Sequence, residues 1–219
     1  LSNLSAKEKK LRADLREKQR KEQQLSARIE SIIRKEIEAA QAAARKRSSS
    51  GATASKSNNV NRTTEKYNSP SVLSNTPEAA KLSSDFENNR GRLPWPVEQG
   101  VITSSFGRHP HPVWRDVVVN NNGVDIGSAR GARARSVFEG KVLRVIMVVD
   151  KYAVLVQHGE YFTLYSNLSE VFVKAGDKLI TRQPIGRIQT SDEDGRTEVH
   201  LEIWKGSTKM DPEGWLASR

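Results

Sequence analysis

The C-terminal part of the chain consists of short segments in which apolar residues run together or alternate with polar ones. The segments are residues 101–106, 113–119, 123–126, 135–138, 141–149, 153–157, 162–165, 179–180 and 199–204. Turn-forming pairs such as Glu139-Gly140 and His158-Gly159 separate them. No apolar period of helical length interrupts the series. The pattern predicts a mainly β domain with an antiparallel sheet over residues 92–219.

The amino-acid composition limits the kinds of partner and the cellular compartment that we expect for this chain. The chain has 219 residues and a net charge of +10, and its basic residues are concentrated in the first fifty positions. Such a charge would suit nucleic acid or an anionic surface. The sequence has no nucleic-acid recognition motif, so we interpret the excess as a solvated helix and expect no nucleic-acid partner. It has no cysteine and no apolar run of membrane-spanning length.

The first 47 residues predict a long helix with an apolar seam. One series of apolar residues has a seven-residue spacing, interrupted at Lys18: Leu4, Leu11, Leu25 and Ile32. Neighbouring positions on the same face are filled by Leu1, Leu15, Ile29, Ile33 and Ile37. This spacing is typical of a coiled coil. We interpret residues 1–47 as the end of a longer coiled coil, because the chain opens inside a helical pattern. A lone amphipathic helix is the alternative.

Residues 48–75 contain little besides Ser, Asn, Thr, Ala and Lys, a composition that predicts a flexible linker. A second helix is expected over residues 76–91, because Thr76 can cap it and Pro77 suits its first position. Its apolar stripe is Ala79, Leu82 and Phe86. A helix this short must dock to be stable. It is either a movable regulatory helix over the functional groove or fixed structure.

Two strand-like stretches carry the candidate site. In residues 198–204 the apolar residues alternate with polar or aromatic ones: Glu198, His200, Glu202 and Trp204. Period two predicts one buried face and one face that presents carboxylate, imidazole and carboxylate. In residues 121–127, Asp125 points away from Val124 and Ile126.

Together these stretches resemble the M23, or LytM-type, zinc peptidases, which cut peptidoglycan cross-links. The family motifs are His-x-Gly-x-Asp, Tyr-x-His-Leu and a final His-x-His followed by an apolar residue and Glu-Ile. The matching residues are Gly123, Asp125, Tyr165, Leu168, His200, Glu202 and Ile203. The resemblance covers about residues 93 to 216 and implies a β-sandwich-like sheet with an open groove.

The departures from the family pattern concern its histidines. Asn121 stands at the first zinc-ligand position, Asn167 at the middle histidine and Glu198 at the leading histidine of the last pair. Asp125 and His200 alone would hold zinc weakly, because a catalytic site needs three protein ligands. We therefore expect no zinc, no other cofactor and no peptidase activity. Zinc held by Asp125, Glu198 and His200 is the alternative.

The remaining histidines are interpreted without metal. His109 and His111 each precede a proline, and we expect them in a surface loop. We expect His158 at a hairpin turn.

The order of segments along the chain resembles that of EnvC-type division factors: a coiled coil, a linker, a short helix and a degenerate domain. This resemblance implies a periplasmic, non-catalytic activator of N-acetylmuramoyl-L-alanine amidases, docked through its coiled coil to an FtsEX-type transporter complex. The groove expected to bind the amidase comprises Asn121, Asp125, Tyr165, Asn167, Glu198, His200 and Glu202. Two alternatives are a zinc-dependent endopeptidase with an altered ligand set and a passive peptidoglycan-binding scaffold.

Overall fold

A computed structural model describes residues 2–50, 72–110, 118–148 and 150–218. In the first helix, side chains are described at residues 9, 13, 16, 17 and 19–46. The helices are α1 (Ser2–Ser50) and α2 (Pro77–Asn88), with short 3₁₀ helices at Val72–Ser74 and Pro212–Gly214. The strands are β1 (Val101–Ser104), β2 (Gly107–Pro110), β3 (Val118–Asn121), β4 (Val124–Ser128), β5 (Arg133–Arg135), β6 (Gly140–Val148), β7 (Lys151–His158), β8 (Tyr161–Val171), β9 (Lys178–Leu179), β10 (Pro184–Ile188), β11 (Thr197–Lys205) and β12 (Thr208–Met210).

Ten of these strands form one sheet, and β2 and β3 form a separate hairpin. The main order is β1-β4-β11-β8-β7-β6-β9, while β10 joins β8 to β5 and β12 extends β11. Neighbouring strands in this order run antiparallel. The predicted mainly β, antiparallel domain preceded by a helix is confirmed.

The strand register gives the sheet two distinct faces. His200 on β11 lies opposite Asp125 on β4 and Ser166 on β8, and these three residues share one face, called here the His200 face. Leu201 lies opposite Val124 and points to the other side, into the main core. Glu202 and Trp204 follow at two-residue steps along β11 and therefore belong to the His200 face.

The His200 face is covered by α1, which the sequence did not predict. Ile29 and Ile33 are fully buried on α1. They belong to a cluster with Leu73, Ile146, Ala153, Leu155, Phe162, Leu164 and Trp204. Leu25, Ile32, Ile37 and Ala40 pack against the same cluster. Exposed, these sheet residues would form a large apolar patch, which explains why the helix packs there.

This packing involves the helix that the sequence predicts as a coiled coil. From Leu25 to Ala40 the apolar stripe of α1 packs against the chain's own sheet, so that part of the seam has an intramolecular partner. A coiled coil in the preceding part of α1 stays a prediction. The helix reaches Ser50, beyond its expected end at residue 47. Most of the predicted linker, residues 51–71, lies outside the described residues, but Leu73 is buried and belongs to the folded part. No helix in the described ranges is long and apolar enough to span a membrane.

Helix α2 begins where the sequence predicts. The Thr76 hydroxyl accepts a hydrogen bond from the Ala79 backbone N–H at 3.2 Å, which caps the helix. Phe86 is 0% exposed. Its ring lies about 5 Å from the rings of neighbouring aromatic residues: Phe138 at 5.5 Å, His158 at 5.0 Å, Tyr161 at 4.8 Å and Trp215 at 5.3 Å.

Helix α2 lies at the end of the sheet that carries the β7–β8 turn. Gly159, in the β7–β8 turn, lets α2 approach, because a Cβ atom there would lie 2.1 Å from Ser83 Oγ. At this end of the sheet, Glu87 of α2 forms an ion pair with Lys205 at 3.4 Å. Lys205 is five residues from His200 on β11, roughly 16 Å along the strand. This position favours the alternative in which α2 is fixed structure, and its role as a movable helix over the groove stays a prediction.

Candidate functional site

Asp125 and His200 meet in the structure, as their motifs predict, but they bind each other. Asp125 Oδ1 lies 2.7 Å from His200 Nδ1, and His200 Nε2 lies 3.2 Å from Glu202 Oε1. The Trp204 indole N–H donates to Glu202 Oε2 at 2.7 Å. A chain of hydrogen bonds therefore runs along the His200 face through Asp125, His200, Glu202 and Trp204.

This arrangement holds the His200 ring in its charged form. Burial alone would lower the pKa of His200, but the hydrogen bonds and charges of Asp125 and Glu202 raise it to about 10. At neutral pH both ring nitrogens carry a proton and donate to carboxylates. A protonated imidazole has no lone pair for a metal, so His200 is an ion-pair partner in this state.

Asn121, at the first ligand position, is also engaged. Its Nδ2 donates to Ser104 Oγ at 3.0 Å, and its Oδ1 accepts from the Gly123 backbone N–H at 3.1 Å. The residue is 5% exposed and lies at the end of β3. The amide thus stabilises the turn into β4 and supplies no anionic ligand.

Asp125, His200 and Ser166 form a row across three strands, called here the His200 row. Glu198 and Asn167 lie beyond this row, and both are partly exposed. Asn167 has a φ of 67°, a left-handed conformation that asparagine tolerates, and its Nδ2 donates to the Glu198 carbonyl oxygen. In the described part of the chain, no three His, Cys, Asp or Glu residues form a group that could hold a metal ion. By donor chemistry these residues do not fit the family's zinc.

Two predicted groove residues are not accessible. Tyr165 is 0% exposed and points into the core, because it lies opposite Leu201 on β11. Its hydroxyl accepts from the Val137 N–H at 2.9 Å, and burial raises its pKa. Glu202 is on the His200 face but is 3% exposed. Tyr165 is therefore a core residue, and Glu202 is a buried hydrogen-bond partner of His200.

Two of the other histidines lie in strands, and His158 stands directly before the β7–β8 turn, beside its expected position. His109 lies on strand β2, with Nε2 3.3 Å from Ser104 Oγ, and is not in a loop. His111 lies outside the described residues. His158 is buried: its Nδ1 donates to the Glu139 carbonyl at 2.6 Å, and burial lowers its pKa to about 4. His158 is therefore a neutral core residue.

The N-terminal half of α1 lies between two hairpins that flank the His200 row. On one side, Gln19 Nε2 donates to the Val118 carbonyl of β3 at 3.2 Å. On the other side, Lys21 interacts electrostatically with Asp150 in the β6–β7 turn. A cleft of about 340 Å³ remains beside the helix, lined by Gln19, Glu22, Gln23, Arg108, Val118, Asn120 and Asn122. Together with Ile29 and Ile33, these contacts lay α1 across the groove.

The donor chemistry leads to a prediction about zinc. Protein purified without chelator should contain well under one zinc per chain, because Asn121 is neutral and His200 is protonated between two carboxylates. Metal analysis by mass spectrometry measures this directly. The matched variant carries Asn121→His and Glu198→His, and it should gain zinc. Stoichiometric zinc in the unaltered chain, lost on replacing Asp125 by Asn, would contradict the prediction.

Comparisons with known proteins agree with the motifs. The profile of Peptidase family M23 matches residues 119–212. Murein hydrolase activator EnvC of Escherichia coli (strain K12) is 25% identical over 131 residues, which are 58% of this chain and 29% of EnvC. The chain thus spans less than a third of that relative's length.

Two solved structures are also similar over part of the chain. The SpoIIQ–SpoIIIAH pore forming complex contains a chain with 23% identity and a TM-score of 0.49, covering 58% of this chain and 92% of its own. A zinc containing peptidase from Vibrio cholerae has 27% identity and a TM-score of 0.48, covering 57% and 40%. The profile match, together with the ordered motifs, shows that residues 119–212 belong to a domain of peptidase family M23, and 131 residues of the chain are similar to EnvC.

Proposed function

We propose that this protein is a non-catalytic activator of a peptidoglycan hydrolase, and specifically of an N-acetylmuramoyl-L-alanine amidase that separates daughter cells. The observation that carries the proposal is the closed ion-pair chain Asp125–His200–Glu202, which occupies the place of a ligand set. A zinc peptidase needs an open metal position. The similarity to EnvC, whose name is murein hydrolase activator, supports activation as the alternative activity.

In this proposal the groove on the His200 face receives a segment of the amidase. Without metal, the groove still offers amide, carboxylate and imidazolium groups at its partly exposed positions: Asn167, Glu198 and His200. A helical or extended peptide can dock in such a groove through anchors and hydrogen bonds. We place the protein in the periplasm, where the amidase acts, with the start of α1 joining a coiled coil that reaches an FtsEX-type transporter complex.

In this proposal the packing of α1 also regulates amidase binding. A helix across the groove competes with any segment that docks there. The amidase would bind only when α1 leaves, so its apparent affinity falls by the fraction of open chains. The C-terminal half of α1 packs through apolar residues, while the part nearest the His200 row is polar. Movement of the helix could therefore open the groove with the domain still folded.

Reversing the charge at the groove rim tests the proposed binding face. Glu198→Lys should weaken amidase binding about tenfold, because it places the opposite charge at the contact. The free energy of unfolding should change by less than about 0.5 kcal/mol, since the side chain is partly exposed. Titration of labelled amidase measures the affinity.

The matched control is Glu193→Lys, an exposed acid in the nearby β10–β11 turn. It should leave the affinity unchanged. Equal effects of the two variants, or none for either, would move the binding face away from the groove.

A further inference from the structure

Two arginines of like charge face each other on neighbouring strands. Arg133 on β5 lies directly opposite Arg187 on β10, and Arg187 in turn lies opposite Glu170 on β8. All three side chains therefore project from the same face. Both arginines are exposed.

The positive charges of Arg133 and Arg187 are only partly balanced along the row formed by Glu170, Arg187 and Arg133, called here the arginine row. Arg187 Nε donates to Glu170 Oε2 at 3.2 Å, whereas the guanidinium group of Arg133 has no hydrogen bond or ion pair with any residue that the structure describes. Like charges directly opposite each other in a sheet are destabilising. Two guanidinium groups and the one carboxylate of Glu170 together leave a local charge of about +1, and N–H donors of Arg133 remain available.

The arginine row also lies next to the candidate groove. Gln189, two residues after Arg187, donates its backbone N–H to the Asn167 carbonyl at 2.8 Å. Two residues of strand span roughly 7 Å. A segment lying in the groove and leaving past Asn167 would therefore pass close to the arginine pair.

We propose that Arg133 and Arg187 together bind the carboxylate of an acidic side chain on the partner that docks in the groove. This inference rests on the proposed function for the identity of the partner. Paired guanidinium groups can hold a carboxylate through bidentate, charge-assisted hydrogen bonds. A single carboxylate would balance the local charge and complete an alternating row of acid, arginine, acid and arginine. A phosphate monoester carries more negative charge than the row can balance.

The first test needs no amidase. Nε–H signals of ¹⁵N-arginine-labelled protein are followed by NMR while acetyl-Ala-Glu-Ala-amide is added. Signals assigned to Arg133 and Arg187 through the Arg133→Gln and Arg187→Gln variants should shift and saturate. The isosteric acetyl-Ala-Gln-Ala-amide should cause no shift. Absence of a saturable shift, or a stronger response to inorganic phosphate than to the Glu peptide, would overturn the inference.

The second test uses the amidase. Arg133→Glu should lower amidase affinity about tenfold at low salt, as expected for loss of a charge-assisted hydrogen bond. Arg92→Glu is the control, an exposed arginine just after α2 at the far end of the domain. An equal effect of both variants would contradict the assignment. If the unaltered chain binds no amidase, the proposed function fails, while the peptide titration still decides the carboxylate site.

Stability distinguishes ligand binding from a structural role. Because the two arginines repel each other, Arg133→Gln should leave Tm unchanged or raise it slightly at low salt. A clear fall in Tm would mean that Arg133 is retained for stability and would count against the inference.

Discussion

Replacing Phe86 with alanine should lower the free energy of unfolding by about 3–5 kcal/mol, the usual cost of deleting a buried phenylalanine ring. Phe86 anchors α2 in the main core among the rings of Phe138, His158, Tyr161 and Trp215. Urea denaturation measures the change. Ser84→Ala, on the exposed side of the same helix, should cost little.

The result for Phe86 separates two accounts of α2. A loss of less than about 1 kcal/mol would mean that α2 is easily detached and would revive its role as a movable regulatory helix. The expected large loss makes α2 part of the domain. By the same reasoning, a chain beginning at Arg92 should fold poorly, because it lacks Phe86 and leaves Tyr161 and Trp215 uncovered.

The double substitution Ile29→Glu and Ile33→Glu should free α1 from the sheet. Each isoleucine is fully buried, and burial of such a side chain stabilises the packed state by about 1.5–3 kcal/mol. Losing both contacts shifts the packing equilibrium by about 100-fold or more. If α1 closes the groove, amidase affinity should rise. Tryptophan emission should shift to the red, because Trp204 shares the buried cluster with these two residues.

The control for this experiment carries the same added charges on the solvent side of α1. Ala27 and Ser31 are exposed and have the same four-residue spacing, so Ala27→Glu with Ser31→Glu should leave both the emission spectrum and the amidase affinity close to those of the unaltered chain. A red shift in the Ile29 and Ile33 variant without any gain in affinity would show that α1 packs on the sheet but does not restrain binding.

The sequence predicts part of this architecture well, for identifiable physical reasons. Alternation and turn residues indicate an antiparallel sheet, and the motifs bring Asp125 opposite His200. Thr76 and Pro77 define the start of α2. These features depend on neighbouring residues in the chain, which a pattern captures.

The errors concern long-range packing. Tyr165 is buried because pairing of β8 with β11 places it beside Leu201, and this register is not evident from one strand alone. The stripe on α1 fits a coiled-coil seam as well as a sheet-packed helix, because apolar spacings of 3.5 and 3.6 residues are nearly the same over a few turns. Such a stripe does not reveal whether it packs on a helix or on a sheet.

Dye release from labelled peptidoglycan sacculi tests the central claim most directly. Four samples are compared: this protein alone, an N-acetylmuramoyl-L-alanine amidase alone, the amidase with this protein, and the amidase with the Ile29→Glu, Ile33→Glu variant of this protein. We expect no release by this protein alone, more release by the pair than by the amidase, and the most release with the variant. Zinc-dependent release by this protein alone would contradict the account, as would amidase activity that neither form increases.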